Sequence, residues 1–183
     1  PALRALRANL PEAYIGWVVE DRAASILKGH PDLNKVFVVS RKEWEKNRLS
    51  FKTLKEVWKF IRNLRKENFD MVLDFHGLFK SGVITFLSGV RDRVGFSRKF
   101  SKEGNFLFTN HHVSLPEKKM NRVERNLFLV KSIGLEIADH DPIIPISDGD
   151  RQFADPIIPS EGSSSIRPRI IVHPGSSPQT RYK

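Results

Sequence analysis

The sequence predicts an α/β fold: a Rossmann-like parallel sheet with helices packed on it. Two observations carry this prediction. Short apolar runs alternate with helical patterns along the chain, as in βαβ units. The run at 69–75 is nearly continuously apolar, interrupted by Asp70 and closed by Asp74, which is typical of a strand covered on both faces. A turn at His76-Gly77 then leads into a helix, and ligands bind at the carboxyl ends of such strands.

The other elements follow from the spacing of apolar residues. We predict helices at 1–10, 22–28, 51–66, 78–87 and 121–135, and strands at 15–20, 36–39, 69–75, 93–96 and 169–173. The first helix has Leu3, Leu6 and Leu10 on one stripe, and it should follow a strand that is not in the chain. The stripe of the 51–66 helix, expected to face the core, holds Phe51, Leu54, Val57, Trp58, Ile61 and Leu64. Its basic face, interpreted as solvated, holds Lys52, Lys55, Lys59 and Arg62.

Composition changes divide the chain into three parts. Residues 1–138 are predicted to form the Rossmann-like domain, with its first strand missing. Residues 139–168, with their prolines, serines and acidic residues, are predicted to be a linker with little regular structure. Residues 169–183 are predicted to begin a second α/β domain that is cut off. We therefore expect the chain to be a fragment of a longer protein.

The charge is strongly basic and unevenly distributed. The chain carries a net charge of +10, and residues 41–66 hold ten basic and three acidic residues. Such a field attracts nucleic acid, anionic lipid headgroups or phosphorylated substrates, and charge alone does not choose among them. Cysteine is absent, which excludes disulfides and cysteine-ligated metals. No apolar run is long enough to span a membrane.

Two loops hold candidate ligand-binding residues. Arg41, Lys42 and Lys46 follow the carboxyl end of the 36–39 strand, where a ligand would lie. The polar link at 97–118 is long for a compact domain, and long loops are often functional. It contains His111-His112, but neighbouring side chains of a strand point to opposite faces and no carboxylate stands at ligand spacing, so no metal site is predicted.

The last loop has a composition that suits a phosphate. Gly175, Ser176 and Ser177 follow the 169–173 strand, so free backbone N–H groups and hydroxyls would be offered to an anion.

Four stretches together resemble glycosyltransferase family 9, the lipopolysaccharide heptosyltransferases. Residues 1–7 look like the helix after the family's Gly-Asp loop, and 69–81 look like its Asp-x-Gln-Gly-x-x-Lys-Ser segment. Residues 122–125 match a helix start in the same domain, and 173–177 with Lys183 look like the phosphate loop of the nucleotide-binding domain. The resemblance covers nearly the whole chain but only about half of the expected protein.

The resemblance implies an enzyme of the GT-B fold, with this chain supplying the N-terminal domain. It implies inverting transfer of heptose from ADP-heptose to the inner core of lipopolysaccharide, with no cofactor and no metal. The implied partners are a nucleotide sugar, a lipid A-linked acceptor and the inner face of the cytoplasmic membrane. A cytoplasmic, membrane-peripheral monomer that binds no nucleic acid is expected.

The resemblance also assigns residues. Lys183 is carried over as catalytic, and Gly175, Ser176, Ser177 and Lys183 as donor-phosphate ligands. The expected base, an Asp, would lie before Pro1, so the fragment is expected to be inactive; Asp74 is interpreted as orienting the turn. His76 replaces the family's usual Gln, and Lys80 fits a structural or an acceptor-phosphate role. The predicted acceptor-binding residues are Arg41, Lys42, Lys46, His76, Gly77, Lys80, Lys102 and Arg125.

Three alternatives stay open at this point. A basic nucleic-acid-binding α/β domain fits the charge but lacks a zinc signature, an RNA motif or a recognition helix. A nucleotide-binding protein of another reaction class lacks the Gly-x-Gly-x-x-Gly fingerprint. A family 9 transferase could also use a sugar other than heptose.

Overall fold

The computed structural model describes residues 1–40, 44, 50–117, 119–137 and 142–154. Contacts divide the chain into two compact units, residues 1–145 and 146–183. The predicted division at 138 and 168 stays a prediction, because residues 155–183 lie outside the described part.

All strand pairs in the described part of the chain are parallel, which confirms the predicted α/β class. One sheet pairs β1 with β2, and the other has the order β3-β4-β5. The strands are β1 (Gly16–Glu20), β2 (Lys35–Val39), β3 (Met71–Leu73), β4 (Asp92–Phe96) and β5 (His111–Val113).

Helices connect most of these parallel strands, and the 3₁₀ turn Asn105–Phe108 lies between β4 and β5. The described helices are α1 (Ala2–Asn9), α2 (Ala24–Leu27), α3 (Phe51–Arg65), α4 (Phe79–Leu87), α5 (Arg122–Lys131) and α6 (Asp148–Ala154). Short 3₁₀ turns occupy Asp21–Ala23 and Asn105–Phe108. Within the described residues, no helix has both the length and the apolar character to cross a membrane.

The strands of the described residues form two parallel sheets rather than one continuous sheet. Between the sheets the contacts are aromatic: Trp17 stacks on Phe75 at 5.7 Å between ring centroids, and Tyr14 meets Phe69 at 5.9 Å. The strand that the sequence predicts before α1 is not tested by the described residues and stays a prediction.

The 97–118 segment is not the continuous link that the sequence predicts, because it contains β5. Its three residues show no apolar alternation, so the sequence gives no strand signal there. The strand forms because β4 offers it backbone partners. Flanking bonds extend the ladder: Asn110 N donates to Arg93 O and Ser97 N donates to Val113 O, both at 2.9 Å.

Helix α6 lies within the predicted linker, which is therefore not wholly irregular. Its start is held by a reciprocal pair in which Ser147 N donates to Asp150 Oδ2 at 3.0 Å and Asp150 N donates to Ser147 Oγ at 3.1 Å. The Ser147 hydroxyl and amide hydrogen bonds lower the pKa of the Asp150 carboxyl. Seven residues with little apolar content are too few to show a helical period.

Two adjoining apolar clusters form the core of the first unit. Ala2, Ala5 and Leu6 of α1 pack against Val130 of α5. The predicted stripe position Leu10 lies just past the end of α1 and is 40% exposed, so it does not continue the core. In the second cluster, Val94 and Phe96 of β4 are covered by Leu115 and Leu129.

The predicted core stripe of α3 is only partly correct. Ile61 and Leu64 are buried, but Phe51, Leu54 and Trp58 are exposed. The helix therefore turns one edge of its apolar face away from the core.

An ion pair between Lys35 and Glu67, with a hydrogen bond from the Tyr14 hydroxyl, joins β2 to the chain after α3. Lys35 Nζ donates to Glu67 Oε1 at 2.6 Å, and Tyr14 Oη donates to Glu67 Oε2 at 2.9 Å. The hydrogen bond from Lys35, and then that from Tyr14, lowers the pKa of the Glu67 carboxyl. The same bond with Glu67 raises the pKa of Lys35.

We expect a pH-dependent contribution of Glu67 to stability. Because its pKa is lower in the folded state, the contribution is present above the ordinary carboxyl pKa and is lost as pH falls through the lowered value. Urea unfolding of wild type and Glu67→Gln should differ at neutral pH, and the difference should shrink as pH falls through the lowered pKa of Glu67. The exposed Glu117→Gln serves as control, and a Glu67→Gln difference that persists unchanged in acid would contradict the expectation.

Candidate functional site

The turn after β3 is built around the buried carboxylate of Asp74, which is 3% exposed. Its Oδ1 accepts hydrogen bonds from the backbone N–H groups of His76 at 3.0 Å and Gly77 at 3.1 Å. Its own N–H donates to Val94 O at 2.9 Å, which fixes the turn to β4. Asp74 thus organises the turn, as the sequence predicts. The lone pairs of its Oδ1 are already engaged in these two hydrogen bonds.

The other carboxylate oxygen connects this turn to the next loop. Asp74 Oδ2 accepts from Ser81 Oγ at 2.8 Å and from Asn105 Nδ2 at 2.7 Å. Asn105 is fully buried and also donates to Leu78 O at 2.8 Å. The loop at 97–105 is thereby tied to the turn and to the start of α4.

Sequence reasoning missed Asn105, although it named the loop. A polar residue in a polar segment carries no sign of burial, because the burial depends on a carboxylate distant in sequence. Asp74 ending an apolar strand was the available signal, since a buried carboxylate requires donors.

Gly77 lies beside β4 and adopts a backbone conformation that favours glycine. Its φ is +67°, and a Cβ would lie 3.4 Å from Phe96 Cδ2. Its carbonyl accepts from Lys102 N at 2.9 Å. The predicted residues Gly77 and Lys102 are therefore brought together by the backbone.

Arg125 reaches the same place from α5. Its Nη2 donates to Phe100 O at 2.9 Å, and its guanidinium carbon lies 4.7 Å from the centre of the Phe96 ring. A capping box at Asn121 and Glu124 fixes the start of the helix that carries it. Part of its donor capacity thus holds the 97–105 loop in place.

The exposed and half-buried polar side chains around this turn are mostly basic. We call this surface the β3–β4 edge; it comprises His76, Lys80, Arg98, Lys99, Lys102 and Arg125. The first amide of α4, Phe79 N, donates to Glu103 Oε2 at 3.3 Å, so a protein carboxylate already occupies that helix start. The basic side chains of this edge can bind acidic groups of a substrate.

The remaining predicted site residues lie outside the described residues. These are Arg41, Lys42 and Lys46 of the first loop, and Gly175, Ser176, Ser177 and Lys183 of the last. Their roles stay predictions, as do those of His76, Gly77, Lys80, Lys102 and Arg125.

The two adjacent histidines of β5 have separate partners. His111 Nε2 lies 3.2 Å from Asp92 Oδ1, and His112 Nε2 lies 2.9 Å from Phe106 O. No group of three potential metal-ligating side chains occurs among the residues the structure describes. That the reaction needs no metal stays a prediction.

The sequence profile of glycosyltransferase family 9 (heptosyltransferase) matches residues 57–182, more than half of the chain. The chain belongs to glycosyltransferase family 9. This confirms the resemblance on which the site prediction depends.

Curated relatives of this family 9 chain are lipopolysaccharide heptosyltransferases. It is 32% identical over 105 residues to lipopolysaccharide heptosyltransferase 1 of Pseudomonas aeruginosa, covering 56% of this chain and 29% of the relative. It is 29% identical over 137 residues to lipopolysaccharide heptosyltransferase 1 of Escherichia coli K12, covering 73% and 42%. The chain thus spans less than half the length of either relative.

Solved structures of family members have the same fold. The E. coli heptosyltransferase WaaC with ADP-2-deoxy-2-fluoro heptose matches with a TM-score of 0.68 and 28% identity, covering 77% of this chain and 45% of that one. The E. coli ADP-heptose LPS heptosyltransferase II matches with a TM-score of 0.55 at 16% identity, which shows the fold alone; coverage is 88% and 46%.

The backbone conformation of Gly77 predicts different effects for substitutions at Gly77 and at its neighbour His76. Gly77→Val should reduce stability strongly, because a branched residue at φ of +67° is strained. His76→Gln, which restores the usual family residue on an exposed side chain, should change little. Thermal unfolding compares the two variants; equally small effects would show that the turn tolerates a side chain.

Proposed function

We propose that the complete protein is an inverting GT-B glycosyltransferase that transfers heptose from ADP-heptose to the lipid A-linked inner core of lipopolysaccharide. The observation that carries the proposal is the family match together with the likeness to the E. coli heptosyltransferase WaaC, which was solved with an ADP-heptose analogue.

The acceptor is assigned to the first unit. The β3–β4 edge supports this assignment because it gathers basic side chains where parallel strands end, and the acceptor's inner core carries acidic groups. The buried Asp74–Asn105 connection supports it further, since a rigid turn reduces the ordering cost of binding. Arg41, Lys42 and Lys46 extend the predicted acceptor surface.

The donor is assigned to Gly175, Ser176, Ser177 and Lys183. Small residues leave backbone N–H groups accessible to the diphosphate, and the lysine ammonium stabilises the negative charge of the departing ADP. A carboxylate must accept the proton of the attacking hydroxyl, and by family resemblance it belongs to a Gly-Asp loop preceding α1. We further propose a cytoplasmic monomer at the membrane surface that uses no metal or cofactor.

Acceptor kinetics test the assignment. In the complete enzyme, Lys42→Ala/Lys46→Ala should raise the acceptor KM about tenfold with the ADP-heptose KM nearly unchanged, because each lost ion contact weakens only acceptor binding. Lys131→Ala, at the far end of α5, is the matched control. Unchanged acceptor kinetics in the double variant would remove this loop from the acceptor site.

Transfer of radiolabelled heptose from ADP-heptose to a deheptosylated core acceptor tests the activity itself. If ADP-heptose yields no product while another nucleotide sugar does, the donor assignment is wrong and the family assignment stands. Tight binding of DNA or RNA that weakens steeply with salt would instead favour the nucleic-acid alternative.

A further inference from the structure

Helix α3 presents large apolar side chains to solvent. Phe51 is 83% exposed, Leu54 56% and Trp58 62%. Their spacing of three and four residues places them on one face of the helix. Ile61 and Leu64 on the neighbouring face are buried, so the helix is anchored while the exposed side chains form an apolar strip along one face.

This strip is bordered by positive charge. Lys55, Lys59 and Arg62 follow it around the helix, and the Arg62 guanidinium lies 5.3 Å from the centre of the Trp58 ring. The only acidic residue of α3, Glu56, is 4.0 Å from Lys52. The helix thus combines Phe, Leu and Trp with an excess of cations on its exposed surface.

We propose that this face of α3, which we call the α3 strip (Phe51, Leu54, Trp58, Lys55, Lys59 and Arg62), binds the surface of an anionic lipid bilayer. Interfacial helices have this composition: large apolar residues enter the boundary between headgroups and acyl chains, and Lys and Arg meet anionic headgroups. Trp is enriched at that boundary because its ring is apolar while its N–H is polar.

Charge decides between a bilayer and a protein partner. A protein partner would need a surface that is both acidic and apolar, whereas an anionic bilayer supplies both negative charge and apolar depth. On the N-terminal side of α3, residues 41–50 add four basic and two acidic residues. The proposal rests on the proposed function in one respect. A lipid-linked acceptor is embedded in a membrane, so the proposed enzyme works beside one.

Vesicle co-sedimentation of the complete protein tests the α3 strip without any acceptor. Vesicles of phosphatidylcholine with about one third phosphatidylglycerol are compared with pure phosphatidylcholine, at low and high salt. Phe51→Ser/Trp58→Ser should weaken binding to the anionic vesicles about tenfold or more. Ile26→Ser/Val123→Ser removes exposed apolar residues elsewhere, 54% and 49% exposed, and should bind as wild type.

A second measurement separates insertion from simple charge attraction. Tryptophan fluorescence should be quenched by lipids brominated near the headgroup, and Trp58→Phe should abolish most of that quenching while retaining vesicle binding. Lys55→Glu/Lys59→Glu should weaken binding to anionic vesicles and leave the weak binding to neutral vesicles unchanged.

Four results would overturn the proposal. Wild type that does not bind anionic vesicles, serine variants that bind as wild type, and quenching that survives Trp58→Phe are the first three. The fourth is a change of oligomeric state in the serine variants, which would assign the strip to a protein interface. Activity measurements distinguish failure of the membrane proposal from failure of the proposed function. With a water-soluble, deacylated acceptor, the Phe51→Ser/Trp58→Ser variant should transfer heptose at the wild-type rate. Absence of transfer by wild type would refute the function and leave the vesicle result standing.

Discussion

Replacing Lys183 with alanine in the complete enzyme should lower kcat about 100- to 1000-fold, the usual cost of losing one preorganised group that stabilises developing charge. In the proposed reaction the departing ADP gains negative charge in the transition state, and Lys183 follows the loop assigned to its phosphates. The acceptor KM should change little, because the acceptor is assigned to the first unit.

Steady-state kinetics with both substrates varied measure this effect. Lys183→Arg, which keeps the charge but not the shape of the ammonium, should recover part of kcat. Lys131→Ala should behave as wild type. A Lys183→Ala variant that raises the donor KM with kcat intact would assign the residue to ground-state binding rather than to the transition state.

Replacing Asp74 with alanine should destabilise the first unit by about 3 kcal/mol or more, since buried donors that lose their acceptor each cost about 1–3 kcal/mol. Four donors converge on this carboxylate: the N–H groups of His76 and Gly77, Ser81 Oγ and Asn105 Nδ2. Asp74→Asn should also be destabilising, because an amide has one acceptor oxygen where the carboxylate has two engaged.

Urea unfolding gives the free-energy differences, with the exposed Asp70→Asn expected to stay within about 0.5 kcal/mol of wild type. Asn105→Asp should destabilise the protein as much as Asp74→Asn. A carboxylate oxygen of the new aspartate would face Asp74 Oδ2, to which Asn105 Nδ2 now donates at 2.7 Å. Asp74→Asn combined with Asn105→Asp should recover part of the loss. An Asp74→Ala variant as stable as Asp70→Asn would show that the carboxylate is not the organising group.

Much of the fold could be predicted because regular, half-buried elements carry a local signal. The apolar period identified α1, α3, α4 and α5, and short apolar runs identified β1 to β4. The turn at Gly77 was also predictable, since a strand that ends at His-Gly before a helical pattern has few alternatives.

For the site, the sequence predicted which chain positions are involved but not the contacts between them. Family resemblance and loop composition indicate His76, Lys80, Lys102 and Arg125 as ligand-binding positions. The tertiary contacts add that Arg125 also holds Phe100 O, and that Glu103 occupies the start of α4. Neither contact has a sequence signature, because each joins segments that are distant along the chain.

The sequence by itself determined the α/β class, the family and the basic character of the chain, since all three depend on local order and composition. Only the tertiary structure decided that β5 exists, that Asn105 is buried on Asp74, and that Phe51, Leu54 and Trp58 face outward. The physical reason is common to the three. Whether a polar residue gains a buried partner, and whether an apolar residue is covered or left exposed, depends on which distant segment folds against it.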